Sequence, residues 1–234
     1  MRLIKNSIAN KTKFIEIMKH KTIYYHIHKI KEGKSEWVPG DEYFINPNES
    51  NNFQKNLISG LGNIRMNTFN EPIGLIKHVS ELLKGNVNND KLNCACDDLT
   101  RSFKQYIKWI QEEIFEKVRL SNYPNLPSRK SCLWICTYDH LIIWMDIIVN
   151  NLPRFYRPNV KILSLFVEGK CHEADGLFID ADTYKIKDFE SAAHNYWCGK
   201  HKAGNEIEVL FQGKVTVLEE FRSINEINRT TTKN

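Results

Sequence analysis

Hydrophobic and polar residues follow strand spacing near the start of the chain and helical spacing further along. Residues 22–30 are dense in β-branched and aromatic side chains, which indicates a strand. Successive side chains of a strand point to opposite sides, so Tyr24 and His26 share one face. Residues 46–70 are rich in Asn, Ser and Gly and are predicted to form a long irregular loop. A helix is expected to follow over residues 72–84.

The strongest helical pattern lies in the middle of the chain. It begins at Asp98 and ends before residues 123–127, where two prolines prevent its continuation. Its apolar residues fall on one face at helical spacing: Leu99, Phe103, Tyr106, Ile107, Ile110, Ile114 and Val118. Two further helices are expected over residues 139–149 and 188–199.

Strand patterns dominate the second half of the chain. They cover residues 130–137, 161–168, 177–180, 206–212 and 215–219. The last two strands are predicted to form a hairpin with its turn at residues 213–214. Because strands and helices do not alternate regularly, an α+β fold is expected instead of a doubly wound parallel sheet.

Length and composition indicate one soluble globular domain. The chain has 234 residues, of which 41% are hydrophobic and 26% charged. Residues 22–222 are expected to form the domain, after an N-terminal extension over residues 1–21 and before a polar C-terminal tail over residues 223–234. No apolar run approaches the roughly 20 residues that span a bilayer, and no signal peptide is recognised. A cytoplasmic protein without membrane contact is therefore expected.

Charge and cysteine content exclude few functions. The net charge of +5 permits contact with nucleic acid, but no helix-turn-helix, zinc-finger or ribonucleoprotein motif is present. The six cysteines lack the paired CxxC spacing of a zinc site. Free thiols and no bound metal are therefore expected.

The most informative segment carries two acidic residues at strand spacing. Glu206 and Glu208 would face the same side, with Ile207, Val209 and Phe211 facing a core on the other. Such a pair is typical of a solvated strand edge as well as of a catalytic site.

Residues 208–213 also match the cleavage sequence of a picornaviral protease, so a remnant of an engineered tag is an alternative. Lys214 stands where the tag has proline, and a credible strand continues beyond it, which favours a native segment.

Three short segments resemble motifs of ADP-ribosyltransferases. Residues 24–26 (Tyr-Tyr-His) resemble the first motif of the diphtheria-toxin-like and rifampin-transferase-like branches. Residues 127–129 (Pro-Ser-Arg) resemble the middle motif region of several bacterial relatives. Residues 206–210 (Glu-Ile-Glu-Val-Leu) resemble the E-x-E-V-L strand of the arginine-directed transferases.

The order of the later motifs resembles an uncharacterised bacterial family, domain of unknown function 2441, which is associated with the ADP-ribosyltransferase superfamily. A helix with Tyr196-Trp197 precedes Gly199, and the Glu208-Val-Leu strand leads into a Gly-x-Val-x-Val strand. The resemblance implies a core of two small, packed, mixed or antiparallel sheets with flanking helices.

The resemblance also implies a chemistry. Cleavage of NAD passes through an oxocarbenium-like state at the nicotinamide ribose, which a carboxylate stabilises. Glu208 is expected to be that carboxylate, and Glu206 is expected to orient or deprotonate the acceptor. NAD, as co-substrate, is expected to contact five residues: Tyr25, His26, Ser128, Arg129 and Trp197.

Departures from the pattern leave the acceptor open. His26 stands where the E-x-E enzymes have arginine, and their Ser-Thr-Ser motif is absent. The acceptor is expected to be an intracellular protein or nucleic acid. By analogy, the protein is expected to be a toxin of a toxin–antitoxin or phage-defence system, with an antitoxin partner. A non-catalytic module that binds a nucleotide or a partner protein is the alternative.

Overall fold

A computed structural model of the chain describes residues 22–30, 37–61, 63–64, 73–85, 87–179, 186–202 and 206–231. The predicted N-terminal extension, residues 1–21, lies outside the described residues.

Seven strands and six α-helices form the described fold. The strands are β1 (Tyr24–Lys29), β2 (Glu42–Ile45), β3 (Asn63–Ile64), β4 (Ile73–Gly74), β5 (Leu133–Ile135), β6 (Val160–Asp175) and β7 (Ile207–Phe221). The α-helices are α1 (Asn52–Gly60), α2 (Leu75–Leu82), α3 (Asn89–Asn122), α4 (Tyr138–Met145), α5 (Ile186–Trp197) and α6 (Ile224–Thr231). Shorter helical turns cover Asp146–Asn150, Arg154–Tyr156 and Gly176–Phe178.

One five-stranded antiparallel sheet is the centre of the fold. Its strand order is β1-β6-β7-β2, and β5 also pairs with β7. A bridge between Tyr25 and Cys136 brings β1 to the end of β5, so the sheet bends round towards itself. The remaining two strands, β3 and β4, form a separate two-residue ribbon. The expected α+β class is confirmed, with one principal sheet among the described residues in place of two.

The hairpin predicted at residues 213–214 is wrong, because β7 runs without a turn from Ile207 to Phe221. Gly213 lies directly opposite Gly169 of β6 and has a φ of 136°. A Cβ atom at Gly213 would lie 2.5 Å from the Glu168 carbonyl oxygen. The glycine thus permits two backbones to approach closely within a sheet. Glycine is favoured both there and in turns, so the sequence alone does not distinguish the two.

The position of β7 also argues against a tag remnant. Residues 208–212 are buried and pair with β6, and part of the segment pairs with β5. The segment is therefore an integral strand of the sheet.

Helices occupy several places where the sequence predicted other structure. The predicted loop 46–70 contains α1, whose first turn is capped by the Asn51 side chain. Helix α3 begins at Asn89, nine residues before the predicted start, because Asn88 accepts a hydrogen bond from the Lys91 N–H. The strand predicted at 177–180 is wrong where it is described, since the Asp175 carboxylate caps a helical turn there. Residues 223–234, predicted to be a polar tail, include α6, whose Ile227 is buried.

The two faces of the sheet carry separate cores. One side of the sheet, which we call the inner face, carries a core of seven buried residues: Ile135, Leu163, Leu165, Val209, Phe211, Val215 and Val217. The opposite side is called the outer face. At one end, α3 and α5 cover the outer face through Phe115, Trp197 and Leu210. At the other end, α4 and α6 cover it through Leu141 and Ile227.

Candidate functional site

Four separate elements bring a buried cluster of polar side chains to the outer face, which we call the Arg129 cluster. Its members are Glu112 of α3, Arg129 of the segment before β5, Tyr196 of α5 and Glu208 of β7. All four side chains are buried, with Glu112 2% and Glu208 7% exposed. Residues almost 100 positions apart in sequence thus meet at one point between sheet and helices.

Arg129 is the centre of the cluster. Its Nε and Nη2 atoms donate to the two carboxylate oxygens of Glu112, at 3.1 and 3.3 Å. Its Nη1 atom donates to the Tyr196 hydroxyl at 2.7 Å and to Oε1 of Glu208. The Tyr196 hydroxyl in turn donates to the same Oε1 atom at 2.5 Å. The planar guanidinium therefore fixes both carboxylates relative to each other.

Electrostatics keep Arg129 and Tyr196 protonated. Burial alone lowers the pKa of Arg129, but the Glu112 and Glu208 carboxylates raise it well above its ordinary value. Burial, with the nearby Glu208 charge, raises the pKa of Tyr196 well above its ordinary value, although Arg129 opposes that shift. Both groups are hydrogen-bond donors to Glu208 throughout the physiological pH range.

The two oxygens of Glu208 differ. Oε1 accepts from Arg129 and Tyr196, while no described residue donates to Oε2. The Glu208 side chain as a whole is 9% exposed. Glu208 is thus a carboxylate held rigidly by one oxygen, while its second oxygen accepts no hydrogen bond from the described residues.

Ser128 supports the segment that carries Arg129. Its hydroxyl donates to Glu116 at 2.8 Å, and Arg119 binds the same carboxylate through two hydrogen bonds. Arg119 also donates to the carbonyl oxygens of Pro124 and Leu126. This network fixes the proline-containing turn to α3. Ser128 thus positions Arg129 without itself contacting Glu208.

An open groove lies beside the cluster. Its volume is about 590 Å³, and it is lined by Asn122, Tyr123, Pro124, Asn125, Leu126, His172, Glu173, Trp197, Cys198 and Gly199. The His172 ring packs edge-on to Tyr196 and stacks on Trp197. Burial lowers the pKa of His172, and the Glu208 charge opposes that shift. His172 therefore connects the groove to the Arg129 cluster.

Trp197 anchors α5 in the core. It is 1% exposed, and its indole N–H donates to the Phe115 carbonyl oxygen at 2.8 Å. Trp197 also lines the groove, so its predicted contact with a ligand stays a prediction.

The structure does not bring His26 and Tyr25 to Glu208. His26 pairs with Leu163 across the strands and so faces the inner core, whereas Glu208, next to Val209, faces the outer side. The His26 ring bonds the Trp134 carbonyl oxygen at 2.8 Å, which ties β1 to β5. Tyr25 packs edge-on to Tyr138 of α4. The structure therefore does not bring His26 together with Arg129 and Glu208, because the sheet lies between them.

His26 is expected to make the fold sensitive to acid. Burial lowers its pKa from 6.5 to about 4, so below pH 6.5 the unfolded chain takes up a proton that the folded chain refuses. The stability from neutral His26 is complete above pH 6.5 and is lost as pH falls towards 4. The His26→Asn variant, which keeps a side-chain donor, should lose about 2 kcal/mol less than the wild type between these pH values in urea titrations. Equal losses in both proteins would contradict this role.

Glu206 lies near the cluster in sequence, and two members of the cluster were not predicted. Glu206 lies half-buried just before β7, and its carbonyl oxygen accepts from the Gly176 N–H. Glu112 and Tyr196 were not predicted to take part in the site. No local pattern marks Glu112, because it lies two residues from Ile110 and Ile114 and therefore on the side of the helix away from the predicted apolar face.

The fold and the cluster define an α+β protein with a five-stranded antiparallel sheet, flanking helices and a buried arginine–carboxylate site. A family model described as "Protein of unknown function (DUF2441)" matches residues 24–226. The chain belongs to this family, as the order of its motifs around Tyr196 and Glu208 predicted. No curated protein matches the sequence. None of the described helices is long and apolar enough to cross a bilayer.

Proposed function

We propose that the protein is an NAD-dependent ADP-ribosyltransferase in which Glu208 stabilises positive charge at the nicotinamide ribose. One observation carries this proposal: Oε1 of Glu208 is fixed by Arg129 and Tyr196, while no described residue donates a hydrogen bond to Oε2. A carboxylate that is already oriented stabilises a developing cation without reorganising during the reaction.

The proposed reaction breaks the bond between C1′ of the ribose and the nicotinamide nitrogen, whose electron pair leaves with nicotinamide. Oε2 of Glu208 lies beside the positive charge that develops at the ribose. An acceptor nucleophile then bonds to C1′ and transfers its proton to Glu206, the half-buried acid two residues earlier. Arg129 acts as a positioning residue, because the cluster uses four of its five N–H donors and the guanidinium holds Glu208 in place.

The groove beside the cluster suits the rest of the dinucleotide. Its volume of about 590 Å³ falls in the range typical of small-molecule sites. His172 offers a ring face, and Asn122 and Asn125 offer amide groups for hydrogen bonds. This site replaces the one expected around His26 and Tyr25.

The proposal is tested by incubating the full chain with NAD and with candidate protein or nucleic-acid acceptors. We expect release of nicotinamide and labelling of an acceptor by the wild type. The Glu208→Gln variant keeps an oxygen that accepts from Arg129 and Tyr196, so it should fold normally. Its rate of nicotinamide release should fall about 100- to 1000-fold.

A second variant separates the two carboxylates. Glu206→Gln should release nicotinamide by hydrolysis at close to the wild-type rate but label the acceptor far more slowly, because only transfer needs a base for the acceptor. Equal activities of the wild type and Glu208→Gln would contradict the proposal. So would the absence of nicotinamide release by the wild type.

A non-catalytic nucleotide-binding module is the second candidate. The burial of Glu208 and the separation of His26 from it favour this function. Calorimetry with NAD and with ADP-ribose distinguishes the two candidates, since a module would bind one of these ligands in the groove without turnover. The His172→Ala variant should weaken such binding.

A further inference from the structure

Three contacts fix the His172 ring where it borders the groove. The ring stacks on Trp197 at 5.3 Å between centroids and meets the Tyr196 ring edge-on at 5.9 Å. Its Nε2 atom bonds the Tyr196 carbonyl oxygen at 3.2 Å. His172 lies opposite Leu210 of β7, two residues along from Glu208, so its ring is on the outer face with the Arg129 cluster.

The same contacts determine which ring nitrogen of His172 carries the proton. A carbonyl oxygen only accepts, so Nε2 is the donor of its hydrogen bond, and Nδ1 of the neutral ring is an acceptor. Burial lowers the pKa of His172 below its ordinary value of 6.5, which keeps the ring neutral at physiological pH. Within the described part of the chain, no residue bonds Nδ1. His172 therefore brings an acceptor without a donor to the lining of the groove.

The electrostatic environment of the groove disfavours a phosphate group. Two helices end at the groove: α3 at Asn122 and α5 at Trp197. The C-terminal end of a helix carries partial negative charge, which repels anions. The described lining contains no lysine or arginine that would bind a phosphate. The groove is thus suited to an uncharged ligand that brings hydrogen-bond donors.

We propose that Nδ1 of His172 accepts a hydrogen bond from a ribose hydroxyl of an adenosine group, so that the groove admits adenosine and rejects adenosine phosphorylated on its ribose. The half-buried Tyr123 ring in the same lining offers an apolar surface to the base. This inference rests on the proposed function, in which the adenosine belongs to NAD, and adds that NADP is excluded. The 2′-phosphate of NADP would bring acceptor oxygens and negative charge against Nδ1 and the two helix ends.

Calorimetry of the full chain with three probes tests the proposal. The probes are adenosine, 2′,3′-dideoxyadenosine and adenosine 2′-phosphate. The wild type should bind adenosine at least about tenfold more tightly than either of the others. The dideoxy compound lacks the donors for Nδ1, and the phosphate adds repulsion.

Three variants assign this preference to His172. His172→Phe keeps a ring against Trp197 but has no acceptor, so its dissociation constants for adenosine and the dideoxy compound should become equal. His172→Gln has both an amide donor and a carbonyl acceptor, and it should retain a preference for adenosine. His194→Phe is the matched control, because His194 is exposed and meets Tyr123 edge-on without lining the groove. Its preference should equal that of the wild type, and circular dichroism should show that all three variants are folded.

Four results would overturn the proposal. They are no binding of adenosine, equal affinity of the wild type for adenosine and the dideoxy compound, tighter binding of adenosine 2′-phosphate, and a preference for adenosine that survives in His172→Phe. None of the probes has a bond to nicotinamide, so the result does not depend on catalysis. These preferences without nicotinamide release from NAD would contradict the proposed function alone. Nicotinamide release without these preferences would contradict this inference alone.

Discussion

Replacing Gly213 by alanine is expected to lower the free energy of unfolding by about 4 kcal/mol. The backbone of Gly213 has a φ of 136°, which other L-residues rarely adopt. The added Cβ atom would also lie 2.5 Å from the Glu168 carbonyl oxygen and 2.8 Å from Cα of Gly169. Both neighbours are backbone atoms of β6, so β6 and β7 would have to separate. Urea denaturation followed by circular dichroism measures the effect.

Gly40→Ala is the control that separates strain from crowding. Gly40 also has a positive φ, 95°, but a Cβ atom there meets nothing within 4 Å. It should therefore cost only about 1 kcal/mol. Similar losses in the Gly40 and Gly213 variants would show that the close approach of β6 and β7 has no energetic role.

Replacing Arg129 by methionine is expected to cost about 3–5 kcal/mol, the usual consequence of removing one partner from a buried ion pair. Among the described residues, Glu208 would then keep the Tyr196 hydroxyl as its donor, and Glu112 the Lys108 ammonium 4.0 Å away. Neither carboxylate reaches bulk water easily, because both are buried. The same urea titration gives the size of the loss.

The neighbouring Lys130→Met variant is the matched control. Lys130 pairs with Glu113 at 2.7 Å, but Glu113 is 42% exposed at its side chain and Lys130 is 23% exposed. Because such pairs contribute little, the loss should be below about 1 kcal/mol. An Arg129→Met protein as stable as Lys130→Met would mean that the cluster does not hold α3, α5 and β7 together.

Sequence patterns predicted which helices and strands are present better than they predicted where those elements begin and end. The alternating residues 161–168 form a strand, but β6 continues to Asp175 because β7 pairs with it over its whole length. The Gly-Lys dipeptide at 213–214 has the composition of a turn. Only the pairing of Gly213 with Gly169 shows that the glycine lies where two strand backbones approach closely. Such a contact between residues 44 positions apart leaves no local pattern.

The site was predicted in part for the same reason. Glu208 and Arg129 do meet, although 79 residues separate them. His26 was not placed correctly relative to Glu208, because alternation along β1 shows which residues share a face but not which face is the inner one. That choice depends on the bending of the sheet through the Tyr25–Cys136 bridge. On α3, helical spacing identified the apolar residues, but near Leu99 and Phe103 the protein's own core uses the neighbouring face, which carries Ala95, Asp98 and Ser102.

The proposed function requires the nicotinamide ribose of NAD to bind beside Glu208. A crystal structure of the Glu208→Gln variant with bound NAD tests this requirement most directly, since that variant should bind the dinucleotide without consuming it. We predict the nicotinamide ribose within hydrogen-bonding distance of the residue 208 side chain, with the rest of the molecule along His172. Density for NAD on the inner face beside His26, with no contact to residue 208, would contradict this role of Glu208.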